Sequence, residues 1–256
     1  MQRIVPIFIF SLITLLSCGT DNDDIVSQAN VTFNFSHNWD ASPITNTNFN
    51  TIQYTNANGE QLSITKLRYL ISNITCQKEN GEIITLDGYN LVDVTNNTNL
   101  SFTPLSTIPT GTYSSVSFTF GFNNDDNIDG IYQDLNSTSW NVPTILGGGY
   151  HFMQLEGKFV DNTTTETGYA YHAIKAVDNS GATLVFNDTF FEVDLGKITI
   201  TNNATFNIEM NIAEWFVNPN TWDLNVLNNM LMPNFNAQIM MFENGKNAFS
   251  LKSVNQ

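Results

Sequence analysis

Apolar and polar side chains alternate along many short runs of this chain. Val31, Phe33 and Phe35 are separated by Thr32 and Asn34. Val116, Phe118, Phe120 and Phe122 repeat the pattern, as do Phe206, Ile208, Met210 and Ile212. A period of two puts one set of side chains on one face of a strand and the other set on the opposite face. Asn, Gly, Asp and Thr break the runs, and Glu79-Asn80-Gly81-Glu82 between two apolar runs predicts a hairpin. Many strands, frequent turns and little helical periodicity before residue 213 predict an all-β fold, an antiparallel β-sandwich. Beyond that point the spacing changes. Trp222, Val226, Leu227 and Met230 recur at helical intervals after Asn220 or Thr221, and Asn234 to Glu243 forms a second short helical stretch stopped by Asn244-Gly245.

The central stretch runs from Trp140 to Gly157. Its second half predicts a strand with His151, Met153, Leu155, Gly157 and Phe159 on one face, and Tyr150, Phe152, Gln154, Glu156 and Lys158 on the other. Gly147, Gly148 and Gly149 allow the chain to turn sharply into it, which holds Trp140 near the strand's start.

The N-terminus follows a different logic. Gln2 and Arg3 precede the apolar run Ile4 to Leu16, and Leu15-Leu16-Ser17-Cys18 resembles the cleavage site of a bacterial lipoprotein. Residues 1–17 are expected to be a signal peptide, residues 18–30 an acidic tether lipidated at Cys18, and residues 31–256 one β-sandwich domain. This predicts an outer-membrane lipoprotein, facing the periplasm or the cell surface, held to the membrane by its lipid. The chain carries 24 Asp and Glu against 9 Lys and Arg, a net charge of −15. Such a field disfavours nucleic acid, which is bound through clustered Lys and Arg, and favours cations. Besides Cys18 there is only Cys76. A disulfide framework is therefore absent, and Cys76 is expected as a small buried apolar residue.

Three histidines are the nitrogen ligands available to a transition metal: His37, His151 and His172. His37 ends the first predicted strand, two residues before Trp39. His172 shares a strand face with Gly168, Ala170 and Ile174, whose size leaves room beside the imidazole. His151, placed among Met153, Leu155 and Phe159, is expected as a core residue. In a sandwich whose sheets face each other across about 10 Å, His37 and His172 are predicted to converge on one ion, with Trp140 or Trp39 beside them. Met230, Met232, Met240 and Met241 sit among Leu, Phe and Ile and read as apolar packing. Asp125-Asp126-Asn127-Ile128-Asp129-Gly130 reproduces the first half of a calcium loop, with Asp125, Asn127 and Asp129 as candidate ligands and Asp134 completing the shell. The position where such a loop has its bidentate Glu is Asn136, and an acidic turn without metal is the other reading. No nucleophile elbow, zinc-protease helix motif or P-loop is present, so a non-enzymatic binding protein is expected.

An ordered set of segments resembles the MbnP-like family, the methanobactin-associated copper-binding proteins of bacterial envelopes. These are Tyr54 and Asn58-Gly59; Leu67-Arg68-Tyr69-Leu70-Ile71-Ser72-Asn73-Ile74; Ile108-Pro109-Thr110-Gly111-Thr112-Tyr113; Phe118-Thr119-Phe120-Gly121-Phe122-Asn123; Trp140 before Gly149-Tyr150; Leu155-Glu156-Gly157; and Tyr171-His172-Ala173. The resemblance runs from about residue 31 to the C-terminus. It implies copper as the cofactor, His172 as the family's strand histidine, Trp140 as its tryptophan, and a redox or copper-uptake protein as partner. Relatives use an oxidised tryptophan, kynurenine, as a ligand. This chain departs from the family in two places: His172-Ala173-Ile174 stands where a His-x-Gly pattern is usual, and Asp126-Asn127-Ile128 stands where the metal-binding branch has Leu-Asn-His.

Two functions follow. One is copper binding through His37 and His172 near a tryptophan. The other is a surface-displayed binding or adhesion module for a glycan or protein, with the metal site vestigial; loops rich in Asn, Thr and aromatics suit sugar faces.

Overall fold

The computed structural model describes residues 27–256. The expected signal peptide, the lipid-bearing Cys18 and most of the tether lie outside the described residues. Ordered pairing begins ahead of Val31, because Gln28–Ala29 pairs with Ile108–Pro109. The principal elements are β1 (Val31–Trp39), β2 (Lys66–Lys78), β3 (Ile83–Asp93), β4 (Gly111–Phe120), α1 (Gln133–Ser137), β5 (Met153–Val160), β6 (Glu166–Ala173), β7 (Phe191–Asp194), β8 (Ala204–Asn211), α2 (Phe235–Gly245) and β9 (Phe249–Asn255).

They form two facing sheets, as the alternation predicts. The larger sheet runs β7-β4-β2-β5-β6, with β3 along the other edge of β2; the smaller runs β9-β8-β1. The alternating residues fill the space between them. Phe33 stacks on Phe206 at 5.0 Å within the smaller sheet, and Phe35 meets Tyr69 and Phe118 of the larger at 6.1 and 6.0 Å. Such aromatic pairs add about 0.5–1.5 kcal/mol each beyond the area they bury. The sheets are antiparallel with one exception: β8 runs parallel to β1, Ala204 opposite Val31 through Asn211 opposite Asn38. The hairpin at Asn80-Gly81 joins β2 to β3 as expected, and Cys76 is fully buried, its thiol pushed up to about 12 by that burial.

β2 is longer than any single partner on one of its edges. Its first residues pair with β5, Lys66 to Tyr69 against Glu156 to Met153, and its later ones pair with β4. The change of partner occurs at Leu70, whose N–H donates to the Phe152 carbonyl at 2.9 Å and whose carbonyl accepts from Gly121 at 2.8 Å. Everything between Gly121 and Phe152 therefore leaves the sheet and returns to it at one residue. That excursion packs Phe122, Leu135, Trp140 and Tyr150 onto Leu70 as a separate small core on the sheet's outer face. The glycine turn within it is as predicted, with φ of 97°, 70° and 76° at Gly147, Gly148 and Gly149.

The C-terminal region holds one of the two predicted helices. Asn234 caps α2 by accepting from the Ala237 N–H. No helix forms over residues 220–230. Trp222 and Leu224, two residues apart, are both fully buried, whereas Val226 and Met230 are exposed. Side chains supply the backbone partners instead: Glu60 accepts from the Leu224 N–H at 3.1 Å and the Asn225 amide at 2.8 Å, and Asn244 accepts from the Asn220 N–H at 2.9 Å. Asn-rich segments favour such local bonding over a helix.

Gly157 in β5 marks the tightest packing in the sheet. A Cβ there would lie 1.9 Å from the Ser63 carbonyl oxygen and 2.6 Å from the Tyr169 ring. Backbone cannot retreat as a flexible side chain can, so Gly157→Ala should cost roughly 3 kcal/mol, the upper part of the range for overpacked cores. Chemical denaturation of wild type and variant reads this directly; equal midpoints would show that the sheet yields at this point.

Candidate functional site

The outer face of the larger sheet carries the candidate cluster. Register places Arg68, Gln154 and His172 side by side across β2, β5 and β6, and Tyr69, Met153 and Ala173 side by side one residue on. Neighbouring residues in a strand point to opposite faces. Tyr69 faces the smaller sheet, so Arg68, Gln154 and His172 face away from it.

This separates the two histidines expected to share an ion. His37, in β1, lies buried between the sheets, its Nε2 3.0 Å from the Tyr69 hydroxyl. His172 is on the far side of the larger sheet, where its Nε2 donates to Glu156 Oε1 at 2.9 Å. The thickness of a sheet stands between them, and the His37–His172 site is corrected accordingly. Trp39 belongs to the same interior, stacked on Tyr54 at 5.0 Å.

The structure puts His151 beside His172 instead. Strict alternation would leave His151 on the face of Met153, inside the sandwich. The chain bends at Phe152, and Phe152 and Met153 both enter the main core. That one-residue slip turns His151 outward. Its ring centroid is 5.3 Å from that of His172, with the planes at 83°, and 5.7 Å from Trp140. A slip of this kind leaves no signature in the apolar pattern, because Phe152 and Met153 are both apolar.

Each ring's orientation is fixed. The Trp140 carbonyl accepts both the His151 N–H at 2.9 Å and His151 Nδ1–H at 2.8 Å. A carbonyl only accepts, so Nδ1 holds the proton and Nε2 of the neutral ring carries the lone pair. That Nε2 is buried and has no hydrogen-bond partner. Burial pulls the His151 pKa down to about 4, opposed by the bond to Trp140, so the ring is neutral near pH 7. In His172 the carboxylate takes Nε2–H and leaves Nδ1 as the ring's other nitrogen. Glu156 is held near 2 by its hydrogen bond from His172, with Lys66 at 2.8 Å adding to the effect. Gln238 of α2 completes the support, donating to the His172 carbonyl at 2.8 Å. Acceptor groups behind imidazoles, as the Trp140 carbonyl and the Glu156 carboxylate are here, are what orient metal-ligating histidines.

Trp140 is fully buried beneath the Arg68 guanidinium, which lies 5.1 Å from its ring centroid, and its indole N–H has no partner. Arg68 also donates to Gln154 and to the Thr138 carbonyl, tying the excursion to the sheet. Glu156, Arg68 and Gln238 were not legible as site residues, since only strand register and the docking of α2 bring them to His172. Among the described residues no three His, Cys, Asp or Glu side chains gather as a metal-binding group. Two histidines and a tryptophan are the set that forms.

The expected calcium loop does not assemble. Asn127 Oδ1 accepts from the Tyr150 N–H at 2.8 Å, Asp134 accepts from the Tyr89 hydroxyl, and Asn123 takes the Asp125 N–H at 3.0 Å. The oxygens of Asn127 and Asp134 serve the excursion's own packing instead of a common centre, so the acidic turn is structural.

The buried histidines make stability depend on pH. Burial holds His37 as well as His151 near 4, His37 being partly offset by Glu209. The unfolded chain protonates these rings near their ordinary value of about 6.5, so stability is present above about 6.5 and is lost as pH falls toward about 4. His37→Gln, which keeps a hydrogen-bonding group opposite Tyr69, should lose less melting temperature than wild type on going from about pH 7 to about pH 4.5. An equal loss would remove His37 from the account.

The solved structure of MbnP from Methylosinus trichosporium is similar to this one, with a TM-score of 0.54 over 78% of this chain and 80% of that one at 12% identity. At that identity the likeness speaks for the fold. No curated protein matches the chain. The family model described as MbnP matches residues 28–240, most of the sequence and all of β1 to β8. This chain belongs to the MbnP family.

Proposed function

We propose that this protein is a non-enzymatic envelope lipoprotein that binds copper through His151 and His172, with Trp140 beside them. The observation that carries the reading is the unpartnered, buried Nε2 of His151, on a ring packed against a second imidazole whose carboxylate partner fixes its orientation. Leaving a buried polar atom unpaired costs about 1–3 kcal/mol, a cost that an incoming metal removes. Centroids 5.3 Å apart suit two metal–nitrogen bonds of about 2 Å each. Neutral imidazoles are the form that coordinates, and imidazole suits copper. Membership of a family associated with methanobactin and copper supports the same reading. A bound copper ion would supply a one-electron couple or a transportable cargo. The protein's own residues hold and orient the rings, and the small core around Trp140 keeps water from His151. Lipidation at Cys18, in the outer membrane, and a copper-uptake or redox partner complete the proposal.

Copper analysis of purified variants tests the site. Wild type and His37→Gln should retain about one copper per chain, and His151→Ala and His172→Ala should each lose it, with circular dichroism unchanged. Retention by both alanine variants would refute the assignment. The anchor is tested separately: Cys18→Ser should move the protein from the membrane fraction to the soluble one, and unchanged fractionation would exclude lipidation there.

A further inference from the structure

His172 faces two ways. Behind it is His151; in front is an apolar groove of about 430 Å³, lined by His172 with Pro143, Leu146, Met230, Met232 and Pro233 among others. In a chain with a net charge of −15, none of its lining residues is Asp, Glu, Lys or Arg. Hard cations require the carboxylates that this groove lacks. Thioethers are soft ligands that select monovalent copper.

Met230 does not fit the usual role of a methionine as gap filler. It is 76% exposed, so it fills no gap, and its backbone has φ of 53°, a left-handed conformation that side chains other than Gly, Asn and Asp seldom adopt. Strain of this kind persists where the surrounding structure imposes it, often at ligand sites. Met232 is half-buried and rests on the apolar patch of Val142, Leu146, Ile174 and Val177, with its sulfur-bearing chain lining the same groove. Methionine turns freely about three side-chain bonds, and the groove leaves room for both residues to turn toward His172.

We propose that Met230 and Met232 are thioether ligands that load Cu(I) in preference to Cu(II) and deliver it to His172. The groove is then the entrance to the two-histidine site, and its sulfur atoms supply the further donors that a site of two imidazoles lacks. The inference rests on the copper reading above and adds the ion's oxidation state and its route of entry.

The test compares wild-type protein with Met230→Leu/Met232→Leu, a change that keeps the groove's volume and removes only sulfur. Competition with a chromophoric Cu(I) chelator should show the variant's Cu(I) affinity weakened by about tenfold or more, with Cu(II) affinity unchanged. X-ray absorption of the Cu(I) wild type should show a sulfur shell at about 2.3 Å that the variant lacks, by analogy with metal–sulfur distances at other sites. His-dependent Cu(I) binding of equal affinity in both proteins, or a nitrogen-only shell in wild type, overturns the methionine role and leaves the histidine site standing. Absence of copper binding in wild type, or binding indifferent to His151→Ala and His172→Ala, overturns both.

Discussion

The structure depends on the pair of hydrogen bonds at Leu70. A strand edge offers donors and acceptors in alternation, and they must be met when the edge is buried. β2 meets them with two different strands, and Leu70 serves both, giving its N–H to Phe152 and its carbonyl to Gly121. The intervening chain is thereby fixed at both ends, and its apolar residues have one place to go, onto the Leu70 side chain. Trp140 arrives at the outer face for that reason, and His151 follows because the Trp140 carbonyl holds both its backbone and its ring.

Much of this architecture was legible in the sequence. Alternation located the strands, the glycine triplet and Asn80-Gly81 located turns, and Asn234 located the start of α2. These signals are local, involving a residue and its near neighbours. The helix expected over residues 220–230 failed because its competitor was distant: Glu60 takes up the Leu224 N–H from across the fold. The histidine pairing failed for a related reason. Face assignment by period two is cumulative, so one bend at Phe152 reversed His151, and the inward Tyr69 claimed His37. His172 and Trp140, which the resemblance singles out, each pack against His151 on the outer face, whereas Trp39 and His37 form part of the interior.

The three histidines show how one side-chain type takes different roles. His37 pairs with the buried Tyr69 hydroxyl and packs edge-on against the same ring. His151 has its proton fixed by a carbonyl and one nitrogen without a partner. His172 is backed by a carboxylate and opens on a groove. Burial keeps the first two uncharged, and only the latter two pack ring against ring. The difference lies in what stands behind each ring.

The parallel pairing of β1 with β8 joins residues 173 positions apart, as Asn34 to Asn207. β1 pairs along one edge with Ser42–Ile44 and Ser101–Phe102, but its other edge is without β8 until nearly the whole chain is available, so the smaller sheet closes late. Contacts this remote in sequence slow folding, because loop entropy is spent before the contact forms. An unclosed chain is also one that can still be threaded. Late closure of the smaller sheet thus keeps the chain threadable until its last strands are present.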